Sequence, residues 1–313
     1  MNTIPCPVCS SNSFTLVFTT PDRDPREIGN SQEFSLVRCN MCTLHYLNPQ
    51  PTIEELKPYY GMTYYHSSKT SGTFLQKIVR TVRRYSLPIL KHKKGKLLDY
   101  GCGDGTFLQE AQAQGWIVHG VEQSNEGAQR TQERLHIPVI PETELQTAEE
   151  YDVITLWHVL EHVHQPHLLL QELKKHLTTQ GILFLSVPNI NSWQYKLYGS
   201  NAFHLDIPRH IIHYSPQTIK LLLHKNGYRI LTIRHFSPEY GPFGFIQGTL
   251  NSITKDFNYF YNRLKRGYGN AHTSTKLITY ILLPFLIILS IPFVLGESIA
   301  KQGASIQITA TKR

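Results

Sequence analysis

The stretch from Lys96 to Glu122 reads KLLDYGCGDGTFLQEAQAQGWIVHGVE. Lys96 to Tyr100 is a short apolar run of strand length. Gly105 to Gln114 is helix-like and stops at Gly115, and Ile117 to Val121 is apolar again. Strand, glycine-rich turn, helix and second strand in so few residues predict one unit of a parallel sheet. Gly101, Gly103 and Gly105 clear the turn of side chains, so a ligand can approach the backbone. The helix that follows presents free N–H groups and the positive end of its dipole. Asp99, at the end of the first strand, can accept from a ligand amine or order the turn. Glu122 ends the second strand, where a carboxylate can accept both hydroxyls of a ribose. The spacing D-x-G-x-G-x-G departs from the phosphate-cradling G-x-x-x-x-G-K-[ST] pattern and from the dinucleotide fingerprint.

The alternation continues outward. Asn125 to Leu135 and Pro166 to Leu177 read as helices, the latter with Pro in its first turn. Asp152 to Trp157 and Ile182 to Val187 read as strands. Pro216 to Lys225 is a helix closed by Gly227, Tyr228 to Ile233 a strand, and Ala304 to Thr311 an alternating strand. The motifs DYGCGDG, VHGVEQS, YDVITLWHVLEHV and GILFLSVPN, in that order, resemble those of class I S-adenosylmethionine-dependent methyltransferases. The likeness covers roughly residues 95 to 235 plus the last strand. It implies an α/β fold with a Rossmann-like seven-stranded sheet whose last strand is antiparallel and inserted beside the sixth. It further implies that Asp99, Gly101, Gly103 and Gly105 hold the methionine part of S-adenosyl-L-methionine. Cys102 lies in the same loop, as a small residue rather than a nucleophile. By the same likeness Glu122 takes the ribose hydroxyls, Gln123 lies near the adenine, and Trp157 and His158 border donor and acceptor. Glu142 is the candidate for the adenine loop.

Four of the five cysteines form two C-x2-C pairs, Cys6/Cys9 and Cys39/Cys42, with 29 residues between them. The start, MNTIPCPVC, shows no basic segment followed by an apolar core, so no secretory signal is read. In a reducing compartment such pairs predict metal thiolates rather than disulfides. Four thiolates close a tetrahedron around a structural Zn2+ and leave no open position. Zinc knuckles often carry Gly after the second cysteine, whereas Ser10 and Thr43 stand there. CPVC and CNMC followed by LHYLNPQPTIEELKPYY resemble a bacterial methyltransferase subfamily with an N-terminal zinc ribbon. Such ribbons occur with sugar and with ribosomal-RNA acceptors, so the ribbon does not choose the acceptor.

The chain has 313 residues, 41% hydrophobic and 17% charged, a balance that excludes wholesale disorder. Lys plus Arg (31) exceed Asp plus Glu (23), giving +8, which is compatible with nucleic acid, lipid headgroups or phosphorylated substrates. The expected organisation is a zinc ribbon (1–50), a helical linker (51–92), a cofactor-binding methyltransferase domain (93–240 with 302–313) and an apolar helical insertion (241–301). Thr52 and Glu55 have capping-box spacing, and a basic helical stretch runs from Phe74 to Leu87.

Histidine clusters twice. His158 and His162 are four apart and share a helical face, with Glu161 between them and His164 and His167 following. The segment HLDIPRHIIHYS holds His204, Asp206, Arg209, His210 and His213. A neutral imidazole is a base for an acceptor hydroxyl, and the candidates are His210, His158 and His162. Each competes with a plain packing role. His158 with His162 as a metal pair lacks an evident third ligand. Arg209 can bind an acidic acceptor group or pair with Asp206. A D-x-P-R-H segment recurs here in the resembled subfamily. The sequence LWHV after the fourth strand, rather than N-P-P-[YF], argues against methylation of exocyclic base nitrogens.

No charged residue lies between Lys276 and Glu297, and LITYILLPFLIILSIPFVLG (277–296) has bilayer-spanning length. A span would put Ala304 to Thr311 across the membrane from the sheet it completes. Pro284 and Pro292 also argue against one straight helix. The expected form is a bent hairpin or in-plane helices dipping into the cytoplasmic leaflet, ahead of a core or dimer helix and of a true span. Together these readings predict a cytoplasmic enzyme, peripheral or monotopic on the membrane. It would methylate an oxygen, or secondarily a carbon, of a small-molecule, glycan or lipid-linked acceptor. An RNA methyltransferase and a non-catalytic membrane module are the alternatives, and oligomeric state is left open.

Overall fold

The structure is a computed structural model that describes residues 1–23, 32–60, 94–123, 125–137, 139–140, 145, 149–266 and 271–313. The basic stretch Phe74 to Leu87, most of the expected linker and Glu142 lie outside the described residues. The strands are β1 (Phe14–Pro21), β2 (Glu33–Cys39), β3 (His45–Leu47), β4 (Lys96–Tyr100), β5 (Ile117–Val121), β6 (Val139–Ile140), β7 (Tyr151–Trp157), β8 (Leu177–Pro188), β9 (Ile212–His213), β10 (Tyr228–Arg234) and β11 (Ser305–Lys312).

Seven of them form one sheet in the order β10-β11-β8-β7-β4-β5-β6. β4 pairs in parallel with β5 and β7, and β7 with β8, while β11 runs antiparallel to both neighbours. This is the expected class I methyltransferase sheet, with its antiparallel strand between β8 and β10. The helix from Pro166 ends at Lys175, and Leu177 already belongs to β8. The alternation in β11 suggests one wet face, yet every residue from Ser305 to Thr311 is buried. Its polar side chains are satisfied internally: Ser305 Oγ donates to Val187 O (3.2 Å) and Thr311 Oγ1 to Gly181 O (3.0 Å).

The cysteine-bearing segment forms a second, antiparallel sheet, β1-β2-β3-β9. Its fourth strand, β9, comes from the loop after β8, so Tyr46 lies opposite Ile212 and His45 opposite His213. Phe34, Leu36, Tyr46 and Leu47 therefore share one continuous core with Ile211, Ile212 and Tyr214. The capping box at Thr52 forms, with Glu55 N–H on Thr52 Oγ1 and Thr52 N–H on Glu55 Oε2.

The apolar run departs from expectation. It is one continuous helix, Thr273–Ile299, with Pro284 and Pro292 inside it. Each proline removes one helical hydrogen bond, but breaking the helix would strip several peptide groups of partners in an apolar segment, at greater cost. The long helix packs against an earlier helix, Tyr240–Ile253, with a short helix, Tyr259–Arg266, between them in sequence. Both ends of the long helix are tied to the same body. His272 N–H donates to Asp256 Oδ2 (3.0 Å), and Asn189 binds Gly303 O (2.8 Å) and Ala304 O (2.9 Å).

The Tyr240–Ile253 helix packs through glycines. A Cβ on Gly241 would stand 2.8 Å from Val294, and one on Gly248 2.4 Å from the Tyr198 ring. Gly248→Ala is expected to lower stability by about 1–3 kcal/mol, because the ring is wedged and must shift. Denaturant unfolding of both chains checks this.

Glu297 closes the long helix at 1% exposure and accepts from Gln194 Nε2 (3.0 Å) and Ala304 N–H (3.3 Å). Burial pushes its carboxyl up to about 7 from an ordinary 4.5. Between those values the folded chain holds a proton that the unfolded chain has released. Stability therefore falls as pH rises through this window, by about 3 kcal/mol in all. Glu297→Gln should remove this slope, so the stability difference between the two chains changes between about pH 4.5 and 8. An unchanged difference across that window would refute the assignment.

Candidate active site

The glycine loop crosses the carboxyl ends of β4 and β5. Gly101 and Cys102 N–H groups both donate to Val121 O (2.7 and 3.0 Å), folding the loop back over β5. Gly101, Gly103 and Gly105 all have left-handed φ values (+75°, +55° and +69°). Their surroundings differ. A Cβ on Gly101 would meet Val159 at 2.5 Å, and one on Gly105 would meet Thr131 at 2.6 Å. A Cβ on Gly103 would meet nothing among the described residues within 4 Å. Gly101 and Gly105 are thus needed for packing, and Gly103 is where a ligand can lie against bare backbone.

Two side chains hold Gly103 in place. Its N–H donates to Glu122 Oε2 (2.8 Å), and its carbonyl accepts from Thr131 Oγ1 (2.6 Å). Glu122 is half-buried beside this turn, and Gln123 next to it is exposed. Asp99, 2% exposed, accepts from Thr155 Oγ1 at 2.6 Å. Cys102 is wedged against Gly120 and Leu108; burial, then the charge of Asp99, pushes its thiol up, so it is no nucleophile. The Trp157 ring packs against Phe107 (5.2 Å) and Phe184 (4.5 Å), so the core fixes its position. An open Gly103 face beside Glu122, in the loop that follows the buried Asp99, fits a nucleoside linked to an amino acid.

The histidines gather at the ends of β7 and β8. His158 follows β7 with φ +54°. Its Nδ1 lies 3.1 Å from Glu161 Oε1 and its Nε2 3.2 Å from Ser186 Oγ, with the ring against Tyr240 (4.2 Å). His162 donates through Nδ1 to Arg209 O (2.9 Å), near Tyr60 OH (3.0 Å). His210 donates through Nδ1 to His204 O (2.9 Å), and its Nε2 lies 3.9 Å from Glu161 Oε1. The His162 and His210 rings meet edge to face at 4.7 Å. All three candidate histidines therefore surround Glu161, which is 1% exposed. Burial would raise the Glu161 carboxyl, but the hydrogen bond from His158 and the other imidazoles hold it near 2. Burial lowers His210 to about 4, so its imidazole is neutral at pH 7.

The remaining members of the two clusters do other work. His164 Nε2 contacts Pro51 O (2.8 Å), His167 is exposed, and His204 Nε2 contacts Tyr240 O (3.2 Å). Arg209 is 1% exposed and pairs with both Asp206 (2.6 Å) and Asp22 (3.0 Å). Its charge is spent on tying the ribbon side to the loop after β8, so it is not free for an acidic acceptor. Tyr60, Ser186, Tyr240 and Asp22 were not legible as partners in the sequence. Nothing local marks them, since each meets its partner across the fold.

In the ribbon, Cys6 Sγ lies 3.5 Å from Cys42 Sγ, and Cys9 Sγ 3.5 Å from Cys39 Sγ, with all four within 4.8 Å. Thiolates about 2.3 Å from a shared centre stand about 3.8 Å apart, so this set could hold a tetrahedral zinc ion. Ser10 and Thr43 occupy the positions where glycine is common, and both take left-handed φ (+63° and +67°). Their N–H groups donate to Cys6 O (2.8 Å) and Cys39 O (3.0 Å), closing the two turns.

A family model described as a methyltransferase domain matches residues 72–233, more than half of the chain. The sheet and this match place the chain among the class I S-adenosylmethionine-dependent methyltransferases. Among curated proteins it is similar to ubiquinone biosynthesis O-methyltransferases. The protein from Glaesserella parasuis is 30% identical over 33% of this chain and 49% of its own. That from Bartonella quintana is 27% identical over 50% of this chain and 69% of its own. The chain spans about half the length of most curated relatives it matches. A solved coclaurine N-methyltransferase is 19% identical over 83% of this chain and 81% of its own, with a TM-score of 0.48.

Proposed function

We propose that this chain transfers the methyl group of S-adenosylmethionine to an oxygen, and secondarily a carbon, of a small-molecule acceptor. The observation that carries the reading is the open Gly103 face beside Glu122, at the carboxyl ends of β4 and β5 in the methyltransferase sheet. The likeness to ubiquinone O-methyltransferases supports oxygen as the acceptor atom. Glu122 would take the ribose hydroxyls, Gln123 would flank the adenine, and Asp99 with the Gly101–Gly105 turn would hold the methionine end. The bound cofactor supplies an electrophilic methyl on sulfur. The chain's own work is to align the acceptor and take a proton. We assign the proton to His158 Nε2: Glu161 holds the opposite nitrogen, the orienting contact a general base needs. Ser186 Oγ, 3.2 Å away, would yield Nε2 to the acceptor hydroxyl. The Cys6, Cys9, Cys39 and Cys42 set would carry structural zinc and no chemistry.

The long helix supports a lipid-associated class for the acceptor. Leu277, Ile281, Phe285, Ile288, Leu295 and Ile299 form an exposed apolar stripe, each at least 49% exposed. With both helix ends tied to one body, this stripe would lie in the plane of a cytoplasmic leaflet rather than cross it. The +8 charge suits anionic headgroups. A quinone-like, lipid-linked or glycan-lipid acceptor would then be reached at the surface, whereas RNA gains nothing from such a stripe. The test uses purified protein, methyl-labelled cofactor and cell extract split into lipid, RNA and soluble-metabolite fractions. Label in the lipid fraction is expected. Label in RNA would overturn the acceptor reading, and no label in any fraction would overturn the activity.

A further inference from the structure

We infer that Glu161, His162 and His210 form a second metal site, one that holds a divalent first-row transition ion with open coordination positions. One ligand atom from each residue lies within 4.8 Å of the other two, and His210 Nε2 is 3.9 Å from Glu161 Oε1. Ligands about 2.0–2.1 Å from one ion stand about 3.0–3.4 Å apart, so closure needs a shift of no more than about 1.8 Å. Two independent features point to an ion rather than to simple packing. Glu161 Oε2 is buried and has no hydrogen-bond partner among the described residues, although the residue is only 1% exposed. A carboxylate oxygen so placed is costly unless something binds it. Both histidines also spend Nδ1–H on a backbone carbonyl, His162 on Arg209 O and His210 on His204 O. That leaves Nε2 of each ring to serve as the ligand atom, and such carbonyl contacts are how metal-binding histidines are oriented.

The donor set selects the ion's class. Two imidazoles and one carboxylate suit zinc, iron, cobalt or nickel better than magnesium or calcium, which prefer oxygen alone. Three protein ligands leave positions for exogenous oxygen, unlike the closed four-cysteine set. The site borders His158 through Glu161, whose Oε1 faces His158 and whose Oε2 is spare. On the methyltransferase reading, an acceptor hydroxyl seated on the ion would be acidified beside the base that takes its proton. The inference rests on that reading only for the ion's use, not for its binding.

The experiment loads the full chain with Zn2+ or Co2+ alone and counts bound metal by elemental analysis after equilibrium dialysis. Two equivalents per chain are expected, falling to one in the His162→Ala, His210→Ala double variant. Co2+ needs no variant: the first equivalent should show intense thiolate charge-transfer bands, and the second only weak visible bands of nitrogen and oxygen ligation. Saturation at one equivalent with thiolate bands alone, or two equivalents retained in the double variant, would overturn the site. Calorimetry with S-adenosylhomocysteine separates the two readings. Binding of that nucleoside with a single metal equivalent rejects the ion and leaves methyl transfer standing. Two equivalents without nucleoside binding does the reverse.

Discussion

Gly103→Leu should abolish cofactor binding while leaving the chain folded. The left-handed φ of +55° costs a leucine about 1–2 kcal/mol, and its Cβ would meet nothing among the described residues within 4 Å, so no clash with them adds to this. The side chain would nevertheless fill the space in which a ligand must lie against the backbone. We expect S-adenosylhomocysteine affinity to fall by roughly 100-fold or more, equivalent to about 3 kcal/mol, in calorimetry. The midpoint of thermal unfolding should drop by only a few degrees. Gly105→Leu is the contrasting change, because Thr131 already stands 2.6 Å from where its Cβ would be. That variant should lose stability first and binding as a consequence. Full affinity in Gly103→Leu would sink the assignment of the cofactor site.

On the proposed zinc reading, Cys39→Ala should abolish metal binding by the four-cysteine set and destabilise far more than the segment that carries it. Cys39 is fully buried and sits beside Cys9 Sγ at the end of β2. Three remaining thiolates cannot close the tetrahedron, and structural zinc contributes on the order of 10 kcal/mol of folding free energy to small modules. The β1-β2-β3 segment is joined to the methyltransferase sheet through β9 and through a shared core containing Tyr46, Ile212 and Tyr214. Arg209 adds ion pairs to Asp22 across the same boundary. Loss of one metal equivalent, with earlier unfolding of the whole chain, is the expected result. Unchanged metal content by elemental analysis would refute the zinc reading.

Much of this architecture was legible because the signals are local. The strand–turn–helix around Gly101, Gly103 and Gly105 follows from residue order and backbone freedom, and it forms where expected. The capping box at Thr52 is likewise a matter of neighbouring residues. The apolar helix was legible as apolar, but its continuity through Pro284 and Pro292 was not. Proline rules describe one lost hydrogen bond, whereas the cost of the alternative depends on what surrounds the rest of the helix.

Sequence alone determined the strand–helix alternation, the glycine turn after β4 with Glu122 following β5, the cysteine spacing and the presence of two histidine clusters. Periodicity, turn chemistry and ligand spacing act over a few residues and need no knowledge of distant partners. Only the tertiary structure decided that β9 completes the antiparallel sheet of β1, β2 and β3, that Arg209 is neutralised by Asp22 and Asp206, and that His210 meets His162 beside Glu161. Those meetings depend on how far the loop after β8 folds back over the ends of β7 and β8. Packing of the whole core sets that return path, and no single stretch of residues encodes it.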